Sequence, residues 1–181
     1  RDAQESRGLG DVYKRQDSPG FKLKPNPATV TADGWVQAGV EVYGGPLLNS
    51  WLDRELRFAG RLALDDGTQV LAATGPVGRI PQLAIHLDRE VNEGLTLKRQ
   101  RHTNPVVGAL APRGEGEADG LAARVPGDVL TALAAAAGVD PAAVRGHDVV
   151  VADAQAPGLF GLAGEFFASG RLDNLSSVHA G

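Results

Sequence analysis

From Trp35 to Tyr43 apolar and polar positions alternate, with Val36, Ala38, Val40 and Val42 on one face and Gln37, Gly39, Glu41 and Tyr43 on the other. A period of two is that of a half-buried strand. Gly44-Gly45-Pro46 ends it. Alternation returns over residues 52–64, where Leu52, Leu56, Phe58, Leu62 and Leu64 share a face. Asp65-Asp66-Gly67-Thr68 is a hairpin turn of the Asp-Gly kind, and residues 69–73 form the returning strand. The middle of the chain is therefore antiparallel β, a small barrel or sandwich. Before it, residues 21–24 alternate as well, and Pro25-Asn26-Pro27 is expected to stop any regular element and mark a domain crossing.

Beyond the middle, Ile80 to Leu87 is an apolar stretch that opens with Pro81, and residues 114–120, rich in Gly and Glu, form a solvated loop by composition. The clearest helix follows. Asp128 caps residues 129–137, which are helix formers, and Gly138 stands where a left-handed cap is wanted. Asp140-Pro141 starts a second, short helix by the rule of cap followed by proline. Val149-Val150-Val151-Ala152 is apolar without alternation, which suits a strand buried on both faces, as in a parallel sheet. A further helix is expected from Leu175.

Charge and composition narrow the function. The 181 residues carry a formal net charge of −4, which gives no reason to expect a nucleic-acid partner. No apolar run is long enough to span a bilayer. Zero cysteines removes disulfides and thiolate metal sites, so any metal would be held by His, Asp or Glu. No basic-then-apolar leader stands at the start, and a cytoplasmic location is the default. Methionine is absent even at position 1, and the last residues stop within a helical pattern, so both ends read as cut. Residues 1–16, polar and without periodicity, read as a non-native or disordered leader.

No single motif announces catalysis: there is no P-loop, dinucleotide fingerprint, Gly-x-Ser-x-Gly or His-Glu-x-x-His. The candidates are acids and the four histidines His86, His102, His147 and His179. Asp173, beside a helix start, is either a metal ligand at a sheet edge or a helix cap paired with Arg171. Asp17, before Ser18-Pro19, either orients a metal-bound histidine or forms a turn. His86 lies in an apolar run, where a hydrogen-bonded structural role competes with a functional one. Asp153 and Glu165 read as polar strand ends, and residues 98–102 as a solvated basic cluster.

Longer strings shift these odds. Asp17-Ser18-Pro19-Gly20-Phe21-Lys22-Leu23-Lys24-Pro25-Asn26-Pro27 resembles the stretch after the first zinc histidine of aspartyl aminopeptidases. Val36 to Gly45, Trp51-Leu52-Asp53-Arg54-Glu55-Leu56 and Ala59-Gly60-Arg61 are similar to that family's oligomerisation region. Arg79 to Leu87, Val91-Asn92-Glu93, Ala152-Asp153-Ala154-Gln155 and Arg171-Leu172-Asp173-Asn174-Leu175 follow in the family's order. Residues 97–125 match least.

The resemblance implies a two-zinc aminopeptidase with a split α/β catalytic domain and an inserted β-rich domain. The catalytic parts would be residues 17–25 and 148–181. The insert, residues 26–147 with one or two helices, would build dimers and then a closed shell, a dodecamer in characterised relatives. It further implies that Asp173 bridges two zinc ions, that Asp17 steadies a zinc histidine, and that His86 reaches peptide substrate in a neighbouring subunit. The histidine should stand two residues before Asp17, where this chain has Arg15. The remaining ligands and the general base would follow Gly181, so the chain alone is expected to bind no zinc tightly and to cleave nothing. The alternatives are a non-catalytic assembly protein and a related two-zinc aminopeptidase of different specificity.

Overall fold

The computed structural model describes residues 18–110, 127–172, 176 and 179. Among the described residues there are eight strands, β1 (Gly20–Val30), β2 (Trp35–Tyr43), β3 (Leu56–Leu64), β4 (Gln69–Ala73), β5 (Val106–Ala109), β6 (Val144–Asp153), β7 (Gly158–Phe160) and β8 (Phe166–Ala168), and the α-helix α1 (Val129–Ala137). The first six strands make one sheet in the order β4-β3-β6-β1-β2-β5, and β7 and β8 pair separately. Every strand pair in it is antiparallel.

Alternation in the sequence becomes burial. Val36, Ala38 and Val40 of β2, and Leu56, Phe58 and Leu62 of β3, all enter the core. Asp66 and Gly67 make the β3–β4 turn. Gly67 adopts φ +83°, which a side chain disfavours, and Asp66 Oδ1 accepts from Thr68 N at 2.8 Å. The core lies between one face of this sheet and α1, whose Val129, Leu133 and Ala134 are buried against it. Full burial of each Leu or Phe contributes about 1.5–3 kcal/mol. The helix ends are those the sequence signals. Asp128 Oδ1 accepts from Thr131 N at 2.8 Å, and Gly138 stands at φ +70°. Asp140 caps a single 3-10 turn, Pro141–Ala143, rather than an α-helix. Short bridges, Leu56 to Gly78 and Arg79 to Val106, join β3 to β5 through residues 78–79 and draw the two sides of the sheet around the core.

Two expectations change, and one apolar stretch takes no regular form. Pro25-Asn26-Pro27 does not stop β1. The strand runs through it with a register shift, from Leu23 opposite Val40 to Ala28 opposite Ala38. The prolines sit in that irregularity, where a missing N–H costs no ladder bond. The run Val149–Ala152 is not in a parallel sheet, because β6 is antiparallel to both β1 and β3. An apolar run signals burial, not direction: Val149 and Val151 face the core, while Val150 and Ala152 are half-buried on the opposite face. The stretch Ile80 to Leu87 is no regular strand. Ile80 is buried, but Leu83, Ile85 and Leu87 are exposed.

Among the described residues the architecture is one mostly antiparallel sheet, the separate β7–β8 hairpin and one α-helix. The junctions expected at 25/26 and 147/148 fall inside β1 and β6. The leader 1–16 and the loop 114–120 lie outside the described residues.

Candidate functional site

Side chains of β3 and β6 that face away from α1 floor a cleft of about 880 Å³. Ala59, Val150 and Ala152 form the floor. Ser18 and Pro19, just before β1, form one wall, and Leu47 and Trp51 of the turn between β2 and β3 form another. Ser169, Gly170, Arg171 and Leu172, just after β8, close the third side. Trp51 is held edge-on against Phe21, with ring centroids 4.8 Å apart and planes at 68°.

Among the described residues, the charged groups of the cleft are Arg54, Arg57, Asp153 and Arg171. Arg54 forms a close ion pair with Asp153 and also donates to Ser50 O. The second oxygen of Asp153 accepts from Gln155 N at 2.9 Å. Arg171 adopts φ +68°, and its Nη2 donates to Val151 O at 2.9 Å, which ties the segment after β8 to β6. Ser18 Oγ is buried without a hydrogen-bond partner among the described residues.

Asp17 and Asp173 lie outside the described residues, but their chain neighbours Ser18 and Leu172 line this same cleft. His86 lies elsewhere, exposed in a turn where Leu87 N donates to Ala84 O at 2.8 Å. The start of its segment is fixed by Asp53, at φ +56°. Asp53 N donates to Ile80 O at 2.9 Å and its carboxylate accepts from Gln82 N at 3.1 Å. His102 Nδ1 accepts from Lys98 N at 3.2 Å. His147, on β6 opposite Leu62, buries both ring nitrogens without a partner among the described residues. His179 is exposed, with helical backbone. Glu165 accepts from Ala163 N in the β7–β8 turn.

The basic cluster is more than solvated surface. Gln100 accepts from Lys24 at 2.8 Å and donates to Glu41 at 2.7 Å, docking residues 98–102 onto β1 and β2. The Gln100 amide, with Lys24 beside it, holds the Glu41 carboxyl below its ordinary pKa. Among the described residues, no three His, Cys, Asp or Glu side chains gather as a metal site, so these residues do not by themselves fit a zinc ion. Sequence reasoning missed the Arg54–Asp153 pair and Arg57. Arg54 and Arg57 stand three apart, on opposite sides of the start of β3, and no motif marks them. No helix of the described residues is long and apolar enough to cross a membrane.

The family model for the aminopeptidase I zinc metalloproteases (M18) matches residues 2–181. The chain belongs to the M18 family. Its match takes in the opening residues as well as the cleft. A probable M18 family aminopeptidase 2 of Streptomyces avermitilis is 46% identical over 172 residues, covering 94% of this chain and 37% of the relative. The chain thus spans little more than a third of the length of the M18 relatives it matches. In the cryo-EM structure of the Ape4 and Nbr1 complex, the matching chain superposes with a TM-score of 0.75 at 32% identity, covering 90% of this chain and 33% of that one. The S. cerevisiae mApe1 dodecamer gives a TM-score of 0.63 at 29% identity, covering 89% and 35%. Over the matched third, both of these chains share the fold described above.

Proposed function

We propose that the full-length protein carrying this chain is a zinc-dependent aminopeptidase that removes N-terminal residues, Asp and Glu among them, from peptides. One observation carries the reading: an M18 match along the chain coincides with a cleft whose walls include Ser18 and Leu172, the chain neighbours of the two candidate acids. In this reading Asp173 would be a shared ligand of a two-zinc centre, and Asp17 would orient a zinc histidine expected at position 15, where this chain has Arg15. Bound there, zinc would polarise the peptide carbonyl and activate a water. The chain's own residues shape the cleft and set its charge. Residues 17–25 and 148–181 would belong to the catalytic domain, split by an insert over 26–147.

In the same reading the protein works in the cytoplasm and self-associates, through dimers, into a closed shell. The dodecameric state of one similar protein supports this. His86, exposed on a segment anchored by Asp53, would then act in a neighbouring subunit's site. The test is hydrolysis of aminoacyl anilides by the full-length protein with zinc and after chelation. Zinc-restored cleavage from the N-terminus is expected. Assembly into a shell without hydrolysis at any zinc level would favour the non-catalytic alternative.

A further inference from the structure

Resting on the reading in which His86 serves a neighbouring subunit's site, we infer that Asp53 is the positioning residue of the segment that carries His86, so that its carboxylate governs hydrolysis in the neighbouring subunit rather than in its own. The way residues 81–102 are held carries this. Ile80 and Thr103 are buried, and no residue between them is. Leu83, Ile85 and Leu87, on either side of His86, are more than half exposed, apolar groups that a neighbouring subunit would cover. The backbone bonds around His86 are local, with Leu87 N and Asp88 N both donating to Ala84 O, at 2.8 and 3.2 Å. Among the described residues, the hydrogen bond that ties this first half of the segment to the body of the chain runs from Gln82 N to Asp53 Oδ1. The second half is tied separately, by Gln100 to Lys24 and Glu41.

Asp53 is itself fixed on every side. It stands at φ +56°, in the left-handed region, which Asp tolerates better than most side chains. Its N–H donates to Ile80 O at 2.9 Å, and Leu52 before it bridges Ile80. Arg54 after it is paired with Asp153 of β6 and donates to Ser50 O. A strained residue persists only where its surroundings hold it, and such strain gathers where position matters to function. A carboxylate held this firmly presents a fixed acceptor. It gives Gln82, and the turn that follows, a direction that their exposed side chains do not supply.

The experiment measures kcat/KM of the full-length protein on glutamyl and alanyl p-nitroanilide. Asp53→Gly leaves the backbone at ease and removes the acceptor, and is expected to lower kcat/KM about tenfold on both anilides. Gln82→Pro, which removes the donor instead, should repeat the loss. Asp53→Asn, whose amide oxygen still accepts, should stay within about twofold of the wild type. In a His86→Ala background, Asp53→Gly should add less than about twofold, because both act through one group. Co-expression decides where the effect is felt. Assemblies of Asp53→Gly subunits mixed equally with Asp173→Ala subunits should gain about fivefold per Asp53→Gly subunit, since half of the intact sites then receive an intact segment. A mixture of His86→Ala with Asp173→Ala subunits should recover likewise. No loss in Asp53→Gly, or a loss that mixing leaves in place while the His86→Ala mixture recovers, overturns the inference and leaves the aminopeptidase reading standing. A His86→Ala mixture that does not recover ends the role of His86 in a neighbouring site, and the inference with it. If the wild type cleaves neither anilide, the aminopeptidase reading fails and takes the inference with it.

Discussion

The six-stranded sheet and the β7–β8 hairpin use the same apolar residue types to opposite effect. In the sheet, Phe21, Phe58, Leu62 and Val151 are almost wholly buried. In the hairpin, Leu159, Phe160, Phe166 and Phe167 are all more than half exposed, and Leu162 fully so. The two hairpin phenylalanines Phe160 and Phe166 touch each other, with ring centroids 5.2 Å apart, and little else covers them. Apolar sequence specifies burial only where a second layer exists to receive it. For the sheet that layer is α1 and the opposite side of the curl.

The largest expected effect breaks the comparison directly. Phe58→Ala should destabilise the chain by about 3–5 kcal/mol, and Phe160→Ala by less than about 1 kcal/mol, in urea unfolding followed by circular dichroism. Equal losses would mean that the hairpin is packed as the sheet is. Glycines sharpen the contrast. A Cβ on Gly60 would lie 2.6 Å from Val149 Cα, whereas one on Gly158 would meet nothing within 4 Å. Gly60→Ala should therefore cost about 2–3 kcal/mol and Gly158→Ala almost nothing, read as shifts in the urea midpoint.

Smaller effects probe polar groups within the packed region. Asp128→Ala removes the cap of α1 and should cost about 1 kcal/mol by the same measurement. His147→Leu removes two buried ring nitrogens that have no partner among the described residues and should stabilise the chain by about 1 kcal/mol. A loss instead would show that the imidazole has a partner in solution. The least effect concerns acid. Glu41 is held below its ordinary pKa of 4.5 by Gln100 and then Lys24, and Asp66 below 3.8 by the Thr68 hydroxyl and then its backbone N–H. Groups lowered on folding stabilise above their ordinary values and lose that contribution as pH falls through the lower folded values. A pH titration of stability should thus be flat from neutrality to about 5 and fall below it, less steeply in Gln100→Ala.

Much of the sheet was legible in the sequence, and particular residues show why. The alternation of β2 and β3, the Asp-Gly turn, β4 and both caps of α1 are local signals, and the structure keeps each one. The passage of β1 through Pro25 and Pro27 was not legible, because a bulge is decided by the partner strand. The direction of β6 was hidden for a similar reason: Val149 and Val151 meet the core while Val150 and Ala152 line a cleft, and both are apolar demands. β5 and the β7–β8 hairpin are too short to carry a period. Of the site, the strings around Ser18 and Leu172 pointed to one place before any fold was known. Arg54, Arg57 and Asp153 meet there only through strand pairing, which no spacing in the sequence records.

The claim on which the account turns is that the two ends of this chain meet at a zinc centre. Zinc per subunit, measured by elemental analysis of the dialysed full-length protein and of its Asp173→Ala variant, tests it most directly. Two zinc ions in the wild type and fewer than one in a folded, assembled variant are predicted. Equal zinc in both proteins, or none in either, would contradict it.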